Sequence, residues 1–446
     1  MICHAISLHA YAEFPEGKIA VPGEPLNFVV RTQSTPEAIR PWSLRLAGPE
    51  VPGVLSVDEA SAKAGLIKPN INAQIVLPKG LGLERSEYDR FHRERYSDLV
   101  RLIAVFQLQN APEGFELEIP VDLALEARPA VDLTIFPPTV LVPNDVRSVK
   151  FAVRVRRNTE NPIDEHLVAR TTLGVQPNPV SHLVQMDGVE SRDYQFDLNL
   201  SGNPKTAKVR VRLGDLGSTS VTLRKVDVST QPGLRVGLVR GRDNTARSIL
   251  RSLGVDLIEL TNSVLPTREL SDLDTIVVDI RALREPNGEA ARAGFDRFLE
   301  FARQGGRVVV FYHKDKEFNL ESSGFRGYPS EVPLRIGKGR VTREDQPVRV
   351  LLPDHPLVNL PNRIRPRDWD GWIQERGLYF PSEYSDRYDE LIAFADPNQP
   401  EERGALLYAS VGKGEFIYCA LSLYRQLKNV HPGACRLFAN LVTPKR

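Results

Sequence analysis

Residues 234–241, LRVGLVRG, and residues 305–312, GGRVVVFY, are short β-branched runs, and what lies between them decides the fold. After Asn244, an N-cap residue, Ala246, Ile249, Leu250 and Leu253 fall at i, i+3, i+4 and i+7, one face of a helix that Gly254 closes. Two more apolar runs follow, VDLIEL at 255–260 and DTIVVDI at 274–280, and then Phe295, Phe298, Leu299 and Ala302 repeat the helical stripe. Strand, helix, strand, helix, strand with short glycine turns predicts an α/β unit over 233–446, a flavodoxin-like parallel sheet doubly wound by helices. Further on, ALLYASVGKGEFIYCAL at 405–421 reads as a hairpin turning at Gly412-Lys413-Gly414. Pro432 opens a last helix with Ala434, Leu437, Phe438 and Leu441 on one side.

Upstream the period is two. From 1 to 130, bursts such as PLNFVVRT, INAQIVLP and LVRLIAVFQLQ alternate apolar with polar residues between proline and glycine turns, the pattern of a β-sandwich. The segment 86–101, SEYDRFHRERYSDLVR, has the charge density of a short helix or an exposed excursion, and His92 in it reads as a solvated side chain. A second unit, 131–230, repeats the pattern in SVKFAVRVRR and AKVRVRLG, with Phe151, Val153 and Val155 inward and Lys150, Arg154 and Arg156 outward. The expected architecture is therefore two all-β sandwich units, immunoglobulin-like, followed by the α/β unit.

Composition narrows the functions. With 58 Lys plus Arg against 57 Asp plus Glu, the chain has no global field to draw in nucleic acid. No apolar run approaches the roughly 18 residues of a membrane helix, and the first residues lack a basic secretory leader, so the expectation is a cytoplasmic protein with no membrane span. Three cysteines, Cys3, Cys419 and Cys435, are too few and too scattered for a disulfide framework or a cysteine-rich zinc site, and no cofactor or metal is called for.

A long, proline-rich insertion, 318–403, leaves the carboxyl ends of the sheet strands, where an open α/β fold places its binding crevice. Within it, PNRIRPRDWDGWIQERGLYF at 361–380 crowds four arginines, three acids and two tryptophans into a loop. Two readings stand side by side: an internal plug with buried indoles and paired arginines, or a ligand-facing loop. The candidate ligand-binding residues are Arg240, Asp279, Arg281 and His313 at strand ends, with Arg363, Asp368, Trp369, Trp372, Glu375, Arg376 and Tyr379 in the loop. Guanidinium forks among them suit carboxylates, phosphates or sugar hydroxyls. Where a nucleophile elbow would follow the strand after Gly305-Gly306, the chain has Tyr312-His313-Lys314-Asp315.

The run from LRVGLVRG through GGRVVVFY, with WDGWIQERGLYF and GACRLFANL, resembles the C-terminal, non-catalytic part of large bacterial PIG-L (LmbE-like) deacetylases. That resemblance implies β-sandwich modules followed by a class I glutamine amidotransferase-like domain. The family's zinc-holding His-Pro-Asp-Asp motif does not occur in this chain, nor does the elbow cysteine of an amidotransferase. What the resemblance implies is a non-catalytic accessory protein, and the arginine and tryptophan loop, with indole faces for sugar C–H surfaces, is then expected to recognise a glycan or a separately encoded partner deacetylase. The alternative is a hydrolase that uses His313, with Glu375 or Asp279 as its partner and water as nucleophile.

Overall fold

The structure is a computed structural model that describes residues 7–15, 19–35, 39–47, 54–57, 70–77, 101–108, 116–121, 126–135, 137, 139–171, 177–188, 191–200, 205–241, 243–284, 288–319 and 332–445. It is mostly β, arranged in several sheets. Of the segment 86–101, residues 86–100, His92 among them, fall outside the described residues, while Arg101 opens a strand.

Two sheets lie between residues 7 and 120. One pairs Ser7–Glu13, Pro25–Thr35, Asn70–Val76 and Val54–Val57 in that order; the other pairs Ile39–Ala47, Arg101–Leu108 and Glu116–Pro120, and all these ladders are antiparallel. Leu26, Phe28 and Val30 are buried while Pro25 and Asn27 are exposed, the alternation of a sheet with one face on a core.

The next two sheets are built from β1 (Val131–Ile135), β2 (Thr139–Pro143), β3 (Ser148–Arg157), β4 (Ile163–Thr171), β5 (Ser181–Met186), β6 (Ser191–Asn199), β7 (Thr206–Leu213) and β8 (Gly217–Val226). Their orders are β1-β3-β6 and β2-β8-β7-β4-β5. Phe151 and Phe196 stack between them at 5.4 Å, and Lys150, Arg154 and Arg156 face out as their alternation requires. Arg157 continues the alternation onto the inward face, where an apolar residue would be usual; it donates to the carbonyls of Thr159, Glu160 and Met186, so its charge is buried but satisfied.

The largest sheet holds seven strands. β9 (Arg235–Val239), β10 (Asp256–Glu259), β11 (Thr275–Val278) and β12 (Arg307–Phe311) are joined by β13 (Asp389–Glu390), β14 (Leu406–Val411) and β15 (Gly414–Cys419), in the order β10-β9-β11-β12-β15-β14-β13. The first five run parallel; β14 turns back antiparallel to β15, and β13, antiparallel to β14, runs with the first five again. Helices cover both faces: Phe311 stacks on Phe438 of α4 (Pro432–Val442), while Phe416, in register with Val308 and so on the opposite face, meets Phe295 of α2 (Phe295–Arg303). Ahead of them, α1 (Thr245–Ser252) buries Ala246, Ile249 and Leu250, three of the four stripe residues, with Leu253 at its C-cap.

Arg307 at the start of β12 is 2% exposed and explains why the last helix docks where it does. Its Nε donates to Glu415 at 2.6 Å and its Nη1 to the carbonyls of Asn440 and Leu441 at 2.8 and 3.1 Å, satisfying the end of α4 from the sheet face on which it packs. The insertion is less irregular than expected. Three short antiparallel pairs order it: Arg335–Ile336 with Pro381–Glu383, Arg340–Val341 with Gly377–Leu378, and Arg349–Val350 with Ile392–Ala393.

Side chains also tie the α/β unit to the sheet before it. Leu141 and Val226 belong to the same packed interior as α1 and the seven-stranded sheet, and Arg224 donates to the Asn429 carbonyl at 3.1 Å.

Candidate ligand crevice

At the carboxyl ends of β9, β11, β12 and β15 a small crevice is lined by Asp243, Thr245, Asp279, Tyr312, Leu421 and Tyr424, among others. The strand order reverses on either side of β9, so the opening falls at the switch point where parallel sheets bind their ligands. Gly241 permits the tight approach of the first two loops: a Cβ there would lie 2.2 Å from the Ile280 carbonyl oxygen.

Asp279 forms the floor. Its carboxylate accepts from the Ile280 amide at 2.7 Å and the Gly241 amide at 3.3 Å. Burial nevertheless pushes its pKa up to about 7, because two amides do not replace lost water and Asp243 adds a like charge.

The walls are aromatic. Tyr312 is buried, stacks on Tyr379 at 5.7 Å and meets Tyr424 edge-on at 5.9 Å. Burial raises the Tyr312 hydroxyl above its ordinary range, and the Tyr424 hydroxyl rises for the same reason. Beside Tyr424, Arg425 lies over its ring at 4.9 Å and donates to Glu375 at 2.9 Å. Tyr379 holds φ at 57°, which costs energy in a residue with a Cβ, and Gln374, a partner of Arg425, is held at 70°.

Of the sequence candidates, Asp279 lines the crevice, and Tyr379 and Glu375 join it through Tyr312, Tyr424 and Arg425. Arg240 is half-buried after β9, within 3.5 Å of Asn244. Arg281, also at a strained φ of 53°, is committed to Glu317 by paired bonds of 3.0 and 2.6 Å.

His313 is fully buried, and neither ring nitrogen is free. Nδ1 donates to the Phe311 carbonyl at 2.7 Å, Nε2 accepts from the Leu283 amide at 3.2 Å, and burial lowers its pKa to about 4. This corrects the expectation of a His313 base with Glu375 or Asp279: those carboxylates bond Arg425 and backbone amides instead.

The tryptophans follow the plug reading. Trp369 and Trp372 are 5% and 3% exposed and lie 5.2 Å apart, with the Trp372 indole donating to the Asp368 carbonyl at 3.1 Å. The expectation that their faces meet a ligand is corrected, because protein covers them. Arg376 is buried as well, donating to the Gln346 and Trp369 carbonyls, and Asp368 pairs with Arg436. Arg363 remains exposed. The residues that sequence reasoning missed are Tyr312 as a wall, Tyr424, Arg425 and Asp243. In the sequence Tyr312 stands out only as the residue where a nucleophile would be, and Tyr424 lies in a six-residue helix, α3 (Leu423–Lys428), too short to show a stripe.

Among the described residues no cluster of three metal-ligating side chains occurs, and no helix is long and apolar enough to cross a membrane. No protein-family model matches the sequence, and no curated protein does either. Among solved structures, the chain is similar to the β-galactosidase of Rahnella sp. R3 at 16% identity, covering 47% of this chain and 31% of that one, with a TM-score of 0.28. It is similar to the β-galactosidase of Bacillus circulans at 14% identity over 46% and 30% of the two chains, TM-score 0.27. WR4, a C. elegans MSP family member, matches at 14% identity over 22% of this chain and 99% of its own, TM-score 0.17. The chain thus spans less than a third of the length of the two β-galactosidases. Likenesses this distant carry no argument about what it binds.

Proposed function

We propose that this chain is a non-catalytic accessory protein, akin to the C-terminal part of PIG-L-type deacetylases, whose amidotransferase-like α/β unit recognises a glycan at the crevice above β9 and β11. A partner deacetylase would supply the chemistry. The observation that carries the reading is the fate of the strand end after β12. Tyr312 and His313 occupy the place an acyl-transfer enzyme gives its nucleophile, and the imidazole there is consumed by two backbone groups. Tyr379 and Tyr424, half-buried, supply ring faces for sugar C–H surfaces, while Asp243 and the Arg425–Glu375 pair supply hydrogen bonds to hydroxyls.

Isothermal titration with N-acetylglucosamine oligomers tests it. Heat is expected with the wild-type chain and is expected to vanish in Tyr379→Ala and Tyr424→Ala. No heat with wild type, or heat unchanged in both variants, overturns the glycan reading.

A further inference from the structure

The outer face of the five-stranded sheet carries an unusual pairing. Arg170 of β4 and Arg210 of β7 stand directly opposite each other, both exposed, although like charges in register destabilise a sheet. Among the described residues no carboxylate pairs with either, nor with Lys208 one pleat along the same face. The next row is Thr206 opposite Arg224, and Arg224 reaches across to the Asn429 carbonyl of the α/β unit. The rows are about 7 Å apart along the strands. The basic band therefore runs up the sheet and over the junction.

On the far side it meets the insertion loop. Asn362 is bonded to Ser229 on one side and to Asn440 on the other, which pins the loop against the end of β8. From that anchor Arg363, Arg365 and Arg367 project into solvent. Among the described residues none of the three forms an ion pair: Asp368 is spent on Arg436, and the exposed Asp227 and Asp370 pair with none of them.

We propose that this band, spanning the second β unit and the α/β unit, binds a linear acidic polysaccharide bearing carboxylate or sulfate groups. Guanidinium forks in successive rows match anions repeated along a polymer. The neighbours on the sheet are hydroxyls, Ser218, Ser220 and Thr222, which suit sugar oxygens. The large apolar residues exposed on this sheet, Val180 and Leu183, lie at its β5 edge rather than along the row from Lys208 to Arg224, so a peptide would find no apolar anchor in the band, and a nucleic acid strand would find no aromatic stacking face there. The site is separate from the crevice, so it stands or falls independently of the proposed function.

The test is binding of polygalacturonate and dextran sulfate at about 50 mM salt, where surface charges are weakly screened, with uncharged dextran, polyglutamate and duplex DNA as comparators. Both acidic polysaccharides, or one of them, are expected to bind while dextran does not. The double variants Arg170→Glu/Arg210→Glu and Arg365→Glu/Arg367→Glu should each weaken binding by about tenfold or more, with unchanged melting because all four positions are exposed. Tyr424→Ala should leave it intact. Absence of binding to both polymers, indifference to both double variants, or tighter binding of polyglutamate or DNA overturns the proposal.

Discussion

Arg376 and its near neighbours Arg363, Arg365 and Arg367 belong to one loop and have opposite fates. Arg376 is 3% exposed, with its three nitrogens on carbonyls of Gln346 and Trp369 and its charge 5.6 Å over the Trp372 ring. The other three are exposed. The difference lies in what stands beneath each. Under 368–376 lie α3 and α4, whose Gln426, His431 and Arg436 bond Ile373, Asp370 and Asp368. Along 363–367 only Ile364 packs against the core, and the three arginines around it stay exposed. A loop dense in arginine and tryptophan is thus half scaffold and half surface, and only the second half is available to a ligand.

Mutations should separate the halves. Trp372→Ala is expected to cost about 3–5 kcal/mol in denaturant unfolding, as for other large buried aromatics. A loss below about 1 kcal/mol would mean the indole is not packed as described. Next comes pH. The Asp279 carboxyl, pushed up to about 7, stays protonated in the folded chain where the unfolded chain has released its proton. Its contribution is therefore full below about 4, the ordinary carboxylate value, and is lost as pH rises through 7. Asp279→Asn should remove a stability decline of about 2–4 kcal/mol across that window, read by thermal melts at several pH values. His313 has the opposite sign: its pKa of about 4 in the folded chain makes stability fall as pH drops from about 6.5 toward 4.

Arg376→Met should cost about 2–3 kcal/mol by leaving buried carbonyls unpaired. Smallest of all, Arg365→Ala should stay within about 0.5 kcal/mol of wild type, and a larger loss would show that the outer arginines are also scaffold.

Periodicity made the regular parts legible. The stripe Ala246, Ile249, Leu250 and Leu253 and the runs at 234–241, 274–280 and 305–312 carry local signals, and the structure forms α1, β9, β11 and β12 from them. The loop was opaque because its burial depends on Gln426, Arg436 and Asn440, some 50 to 80 residues away, and nothing in its own spacing reports them. His313 misled for a related reason. A histidine at a strand end looks available until the chain is folded and Leu283, 30 residues earlier, brings its amide to Nε2. Tyr379 was legible as a residue of interest but not as the partner of Tyr312, since that contact joins the end of β12 to a point in the insertion 67 residues further on.

The account turns on binding without turnover at the tyrosine-lined crevice. Amide shift mapping during titration with an N-acetylglucosamine oligomer, with the sugar's acetyl resonance followed in the same sample, tests it most directly. The expected result is saturable shifts confined to the segments around Asp243, Tyr379 and Tyr424 and an acetyl signal that does not change. Release of free acetate, or shifts that bypass these segments, would contradict it.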